Sequence, residues 1–163
     1  MSLLDVLVDF ARTGRVGPLR CGMSLAEAED LLGPGRPHPA IVMKGPDING
    51  YPYSWSALDL SVTRRTVSSI RINLWPGSTA TLPPLVLPDA VPFDATVLRE
   101  DMLAALDDAG CAHEVDENLT FGNQSGTLAQ PAGVGMIFCL PASNTDVADR
   151  DRHYLVSIHK HAS

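Results

Sequence analysis

Residues 19–35 read LRCGMSLAEAEDLLGPG, and residues 51–75 follow them as a run of alternating apolar and polar positions. In the first segment Ser24 and Glu27 stand at capping-box spacing, so each side chain can satisfy a backbone N–H at the start of a helix. Apolar residues at helical spacing come next, and a Gly-Pro pair ends the pattern. We therefore predict a helix over residues 25–32. At about two turns it is too short to be stable unless it packs on a sheet.

That sheet is predicted from the alternation that follows. Aromatic side chains alternate with small or polar ones in a first half-buried strand, at Tyr51, Tyr53 and Trp55. Residues 58–62 and 67–74 repeat the alternation, and the pair at residues 64–65 is the predicted hairpin turn. The pattern indicates an antiparallel meander with one face in contact with solvent.

The remainder of the chain repeats this order of elements. A helix capped by Ser2 is predicted over residues 2–12, and residues 40–43 are predicted as a short edge strand. The second half begins with a helix from Asp94, as N-cap, to a stop at Gly110. Five further strands are predicted at or near residues 111–115, 119–121, 127–129, 134–140 and 153–159.

These elements define the predicted fold class and the division of the chain. We predict an α+β fold of two successive helix-then-antiparallel-meander units, with the helices packed on one face of the sheet or sheets. The first unit comprises residues 1–82, and a Pro-rich segment at 83–92 is predicted as an extended linker. The second unit comprises residues 93–163. At 163 residues the chain suits either two such units or one compact domain.

Composition excludes several classes of protein. No run of about eighteen apolar residues occurs, which excludes a membrane-spanning segment at the level of the sequence. Three widely spaced cysteines without CxxC spacing are typical of free thiols in a cytoplasmic protein. No cofactor is predicted, because the Gly-Val-Gly at residues 133–135 is followed by neither a helix nor a lysine.

Charge is distributed unevenly along the chain. Residues 1–82 contain eight Lys or Arg and seven Asp or Glu, whereas residues 83–163 contain four and twelve. An acidic half repels phosphate backbones, so nucleic-acid binding is disfavoured. A basic protein partner is the complementary expectation.

The candidate partner-binding residues are of two kinds. Acidic residues of the second half are expected to form a docking patch, because those of the predicted helix lie opposite its apolar stripe and have no Lys or Arg at i+4. The residues of this patch are Glu100, Asp101, Asp107, Asp108, Glu114, Asp116 and Glu117. The alternative interpretation is that these acidic residues form an ordinary solvated surface. Aromatic residues of the first strand form either core or a recognition surface, and they are Tyr51, Tyr53 and Trp55.

A metal site or a catalytic site built from histidine and cysteine is a weaker expectation. Histidines at the C-terminal strand could share one face, with Cys139 on a neighbour, in a metal-binding arrangement: His153, His159 and His161. Cys111 with His113, or Cys139 with His159, could form a nucleophile and base. No third orienting group or oxyanion loop accompanies either pair, so we predict neither a catalytic site nor a metal site.

The opening segment also resembles a known pattern. β-Lactamase inhibitor proteins and the SmpA/BamE lipoproteins share bacterial units with a Gly-Met-Ser/Thr before a short helix that ends in Leu/Ala-Gly. The matching residues here are Leu19, Gly22, Met23, Ser24, Glu27, Ala28, Leu32 and Gly33. The resemblance implies helices packed on an antiparallel sheet, two such units in tandem, and a protein-binding role without catalysis.

Together these observations predict a non-enzymatic cytoplasmic binding module, inhibitor-like or toxin-immunity-like, which docks a basic protein through its acidic surface. The alternative is a small-molecule-binding or minor catalytic domain with a pocket between helix and sheet near Trp55 or Cys139. A third alternative is a structural domain whose partner is a second copy, as a homodimer.

Overall fold

The computed structural model describes residues 1–88 and 91–162. Its helices are α1 (Leu3–Thr13), α2 (Leu25–Leu32), α3 (Pro39–Lys44) and α4 (Arg99–Asp108), with a 3-10 turn at Glu117–Leu119. Its strands are β1 (Arg36–Pro37), β2 (Tyr51–Trp55), β3 (Leu58–Thr63), β4 (Thr66–Asn73), β5 (Thr79–Ala80), β6 (Phe93–Asp94), β7 (Ala112–Val115), β8 (Gln124–Gln130), β9 (Val134–Cys139) and β10 (Tyr154–His161). In these described ranges no helix has the length and apolar character needed to cross a membrane.

Eight of the strands form one sheet in the order β1-β2-β3-β4-β10-β9-β8-β7. Every neighbouring pair is antiparallel. β5 and β6 pair separately as a small two-stranded ribbon. The predicted α+β class with antiparallel meanders is therefore confirmed, and the two meanders form one continuous sheet in which β4 pairs with β10.

A single hydrophobic core lies between this sheet and the helices. Strand residues such as Ile70, Ile72 and Phe138 are buried together with Phe10 of α1 and Met102 of α4. Helix α1 belongs to the first half in sequence but packs on β8, β9 and α4 of the second half. Because of this crossing, each half supplies part of the other's core.

The side of the sheet that the strands turn away from the core is called the open face here. Its residues alternate with the buried positions and include Asp59, Arg71, Asn73, His159 and His161. Hydrogen bonds join its polar side chains, since Asp59 accepts from Ser54 Oγ at 2.6 Å and from Asn73 Nδ2 at 2.9 Å.

Local sequence chemistry accounts for the elements that were predicted correctly. Ser2 caps α1 in a reciprocal capping box with Asp5, and Ser24 Oγ accepts from the N–H of Glu27 at the start of α2. The hairpin turn between β3 and β4 is the Arg64-Arg65 pair, whose φ angles of 53° and 58° are both positive. Two positive φ values match the twist of the flanking strands.

The predicted edge strand at residues 40–43 is wrong, because these residues belong to α3. His38 precedes the helix, and its Nδ1 accepts from the N–H of Ala40 at 3.0 Å. Pro39 then occupies the first turn, where its missing N–H costs nothing. The edge strand is instead β1, which ends three residues before the predicted one begins and pairs with β2.

The predicted start of the second-half helix at Asp94 is also wrong, because α4 begins at Arg99. The carboxylate of Asp94 accepts from the N–H of Thr96 in a local turn. The chain then remains extended beside β10, where Val97 O accepts from the N–H of Leu155 at 2.8 Å. Pairing with a strand distant in sequence therefore outweighs a good local N-cap.

Two further segments differ from expectation. The predicted strand near residues 119–121 is mainly the 3-10 turn, followed by a single bridge between Phe121 and Gln124. Within the Pro-rich segment at 83–92, Val86 is buried in the core, as is Leu82 just before it. Residues 89–90 of the predicted linker lie outside the described residues.

The crossing of α1 predicts that the two halves unfold together. Phe10→Ala should lower the free energy of unfolding by about 3–5 kcal/mol, because it leaves a cavity in the shared core. Amide hydrogen exchange in β3 and in β9 measures both halves, and both should lose protection to the same extent. Arg12→Ala, at an exposed position of α1, is the control. Destabilisation of β3 alone would contradict a shared core.

Candidate functional site

The predicted acidic residues of α4 all lie on its exposed face. Glu100, Asp101, Asp107 and Asp108 are exposed, while Met102 and Leu106 pack into the core. Two of the carboxylates have partners: Glu100 lies 3.4 Å from Arg152, and Asp107 Oδ1 lies 2.8 Å from His113 Nε2. Asp101 and Asp108 form no ion pair with any residue in the described part of the chain.

The acidic residues of β7 and the turn after it lie on the other side of the sheet. His113 pairs with Ala129, a core position, and reaches Asp107 on the helix side. Glu114, one residue later, therefore points to the open face. Asp116 and Glu117 continue there, where Leu119 packs on Gly126 so closely that a Cβ on that glycine would lie 2.3 Å from the Leu119 Cβ.

The predicted acidic patch is thus divided by an edge of the sheet rather than gathered on one face. Strand β7 is the last strand of the sheet, with α4 on one side of it and the 116–119 turn on the other. We call the seven residues that border it the acidic edge: Glu100, Asp101, Asp107, Asp108, Glu114, Asp116 and Glu117.

The predicted aromatic residues lie far from the acidic edge. Five strands separate β2 from β7 in the sheet, which corresponds to roughly 30 Å. Trp55 is 8% exposed, and its Nε1 donates to Gly33 O at 3.0 Å while the ring lies over Gly35. Tyr53 packs against the core, and Tyr51 lies beside His38 with ring centroids 5.0 Å apart. The aromatic strand therefore serves the core and the β1 edge.

An exposed tryptophan that the predicted contact set omitted stands at the end of β4. Trp75 is 59% exposed and lies between two hollows, of about 320 Å³ and about 460 Å³, both of which also touch Asn73. The smaller hollow reaches Cys139, and the larger reaches Asp59. The sequence signal was the Trp-Pro-Gly that ends the meander, where a large aromatic residue leaves the strand instead of alternating within it.

His159 is the most perturbed titratable group of the open face. It is buried against Gly135, where a Cβ would lie 2.5 Å from the imidazole Nε2, and its Nδ1 has no hydrogen-bond partner among the described residues. Burial, together with smaller contributions from the nearby His161 and Arg71 and against the opposing effect of Asp116, lowers the pKa of His159 to about 4. The imidazole is therefore neutral at physiological pH.

The histidines do not converge as a predicted metal arrangement would require. His159 and His161 have ring centroids 5.2 Å apart, but His153 precedes β10, and its Nδ1 lies 3.4 Å from Ser125 Oγ. Across residues 1–88 and 91–162, no group of three or more His, Cys, Asp or Glu side chains is placed to hold a metal ion.

Neither cysteine–histidine pair forms a nucleophile and base. Cys111 is buried with its thiol near the Gln130 carbonyl, while His113 is engaged by Asp107. Cys139 pairs with Tyr154 whereas His159 pairs with Gly135, so about 13 Å of strand separates them. Burial also raises the pKa of the Cys139 thiol, which keeps it protonated at neutral pH.

Comparison with protein-family models, with curated proteins and with solved structures finds no match to this chain. The resemblance of residues 19–33 to the units of β-lactamase inhibitor proteins and SmpA/BamE lipoproteins stays a prediction.

The low pKa of His159 predicts a loss of stability in mild acid. Below pH 6.5 the imidazole of His159 binds a proton in the unfolded chain, whereas in the folded protein it stays neutral until about pH 4. The free energy of unfolding therefore falls as the pH is lowered across this range. The loss should reach up to about 3 kcal/mol. Urea denaturation at successive pH values measures it.

The variant His159→Gln should lack this part of the pH dependence, and His161→Gln, at an exposed position of the same strand, should keep most of it because burial is the main cause of the low pKa. Carboxylates titrate alike in all three proteins, so the difference between variants isolates the imidazole. An unchanged pH dependence in His159→Gln would refute the assignment.

Proposed function

We propose that this protein is a non-enzymatic binding module, inhibitor-like or toxin-immunity-like, which docks a basic protein partner through the acidic edge. The observation that carries this proposal is the assembly of seven carboxylates around one edge of the sheet, with Arg152 as their single Arg partner among the described residues. Such a surface attracts a basic protein over a distance comparable with the Debye length and raises the rate of association.

Two of the four Lys or Arg residues of the second half, Arg99 and Arg150, support this reading because they are engaged away from the acidic edge. Arg99 donates to Ser125 Oγ, and Arg150 donates to the carbonyls of Ala142 and Thr145. Arg152 is shared between Glu100 and Asp149. Among the described residues, the acidic edge therefore has an arginine only at Glu100, and His113 lies beside Asp107.

Apolar surface adjoins these carboxylates, as a stable protein interface needs. A groove of about 550 Å³ runs between α1 and α4, with Leu4, Val8 and Ala105 among its apolar lining. Asp108 of the acidic edge belongs to the same groove, together with Asp5 of α1 and the Asp9–Arg12 ion pair. Burial of the apolar lining would supply affinity, while the carboxylates would select a basic partner.

The proposed role also agrees with the state of the thiols. Cys21, Cys111 and Cys139 are all free, as expected in the reducing cytoplasm, where we propose the protein acts. The predicted aromatic contacts are left out of the proposed interface, because Tyr51, Tyr53 and Trp55 lie on β2, five strands away from β7.

A second candidate is a small-molecule-binding domain, which the hollow beside Trp75 favours. Its lining is mostly apolar, with Leu140, Pro141 and Val156, and Asn73 supplies a polar group. A mostly apolar hollow with few polar groups is typical of small-ligand sites. The protonated thiol of Cys139 argues for binding there rather than nucleophilic catalysis.

Charge reversal on α4 tests the leading proposal. A partner is first captured from native lysate, identified and purified, and its affinity for the double variant Asp101→Lys with Asp108→Lys is then measured. We expect a basic partner whose Kd rises at least about 10-fold, with a slower association rate and a weaker dependence on salt.

The matched control is Glu27→Lys with Asp30→Lys on α2, which changes the net charge by the same amount. Both residues lie on the exposed surface of α2, one in its first turn and one in a later turn. If the two double variants weaken binding equally, the attraction depends on the net charge of the protein and not on the acidic edge. A captured partner that is acidic, or binding unaltered by the α4 reversal, would overturn the proposal.

A further inference from the structure

Strand β7 has one side without a partner strand. It ends the sheet, and only β8 pairs with it. Asp116 N donates to Gly126 O at 2.9 Å just beyond the strand, so alternate residues, Glu114 and Ala112, direct their N–H and C=O groups toward β8. The backbone groups of His113 and Val115 therefore point outward. The register excludes ladder bonds to either N–H, and in the described parts of the chain no turn or loop carbonyl accepts from them.

The side chains around this strand show what could complete it. Val115 is 62% exposed and Phe121, in the following hairpin, is 63% exposed, so apolar surface lies at the edge. Carboxylates flank it on both sides of the sheet, with Asp107 on the helix side and Glu114 on the open face. An added strand that alternates basic and apolar side chains would place its basic side chains beside Glu114 on the open face and its apolar side chains beside Val115 on the helix side.

A second copy of this chain is disfavoured as the occupant. Pairing two β7 strands would bring two acidic edges together, with Glu114 of each copy close to the carboxylates of the other. Like charges opposed across strands are destabilising, and charged edges are a common protection against self-association. A basic segment gains from the same carboxylates.

We propose that the partner docks by adding an extended basic segment to the sheet at β7, paired through the outward backbone groups of His113 and Val115. This inference rests on the proposed function, since it specifies how the acidic edge holds its basic partner. Main-chain hydrogen bonds would supply affinity that does not depend on the partner's side chains, and the flanking carboxylates would supply the selection for charge.

The test uses the full chain and a synthetic peptide of about eight residues that alternates Lys and Val, the pattern that suits strand addition. Amide hydrogen exchange is followed by NMR with and without the peptide. We expect new protection at the His113 and Val115 amides, which point outward. The same peptide with N-methylation on the edge that would face β7 should give no protection.

A proline variant separates backbone pairing from charge. Val115→Pro removes an outward N–H without touching the bonds to β8, and proline is tolerated on strand edges. We expect it to weaken peptide binding about 10-fold, whereas Val115→Thr, which keeps the N–H, should bind nearly as the wild type does. Unchanged amide exchange in β8 and β9 confirms that the proline variant is folded.

The outcomes distinguish this inference from the proposed function. If the α4 charge reversal weakens the captured partner but Val115→Pro does not, the basic docking holds and strand addition is overturned. A peptide that leaves the His113 and Val115 amides unprotected overturns strand addition as well. A homodimer in sedimentation that Val115→Pro dissociates overturns the basic segment in favour of a second copy.

Discussion

The pairing of β4 with β10 is the interaction on which the rest of the structure depends. Ile72 lies opposite Ile158 in this ladder, and both side chains are fully buried beneath the helices. Each meander alone would have one unpaired edge at this position and half of a hydrophobic core. Joining them antiparallel closes both edges and produces one sheet with a continuous apolar face, on which α1 of one half and α4 of the other pack together.

This arrangement decides which surfaces are available to a partner. The edges of the two meanders at β4 and β10 pair with each other. The remaining sheet edges are β1, which is two residues long, and β7. One face of the sheet is occupied by helices, and the other carries polar side chains with Trp75 at one end. The seven residues of the acidic edge meet at β7 because α4 and the 116–119 turn reach that edge from opposite sides.

Elements whose residues make their own local bonds were predictable from the sequence. Ser2 and Ser24 begin helices through side-chain caps, and the two arginines of the hairpin turn lie between strands of clear alternation. Prediction failed where a local signal competed with a distant one. Asp94 has the chemistry of an N-cap, yet its segment pairs beside β10, about sixty residues away in sequence, and α4 starts later.

By itself the sequence determined the fold class, the strands of the first meander and the concentration of acid in the second half. These properties follow from the period of the apolar residues and from composition, which need no knowledge of distant contacts. Only the tertiary structure decided that the meanders share one sheet, that Trp55 is buried while Trp75 is exposed, and that the carboxylates border a free strand. Each of these depends on which strands pair, and pairing between segments far apart in the chain is set by the packing of the whole core.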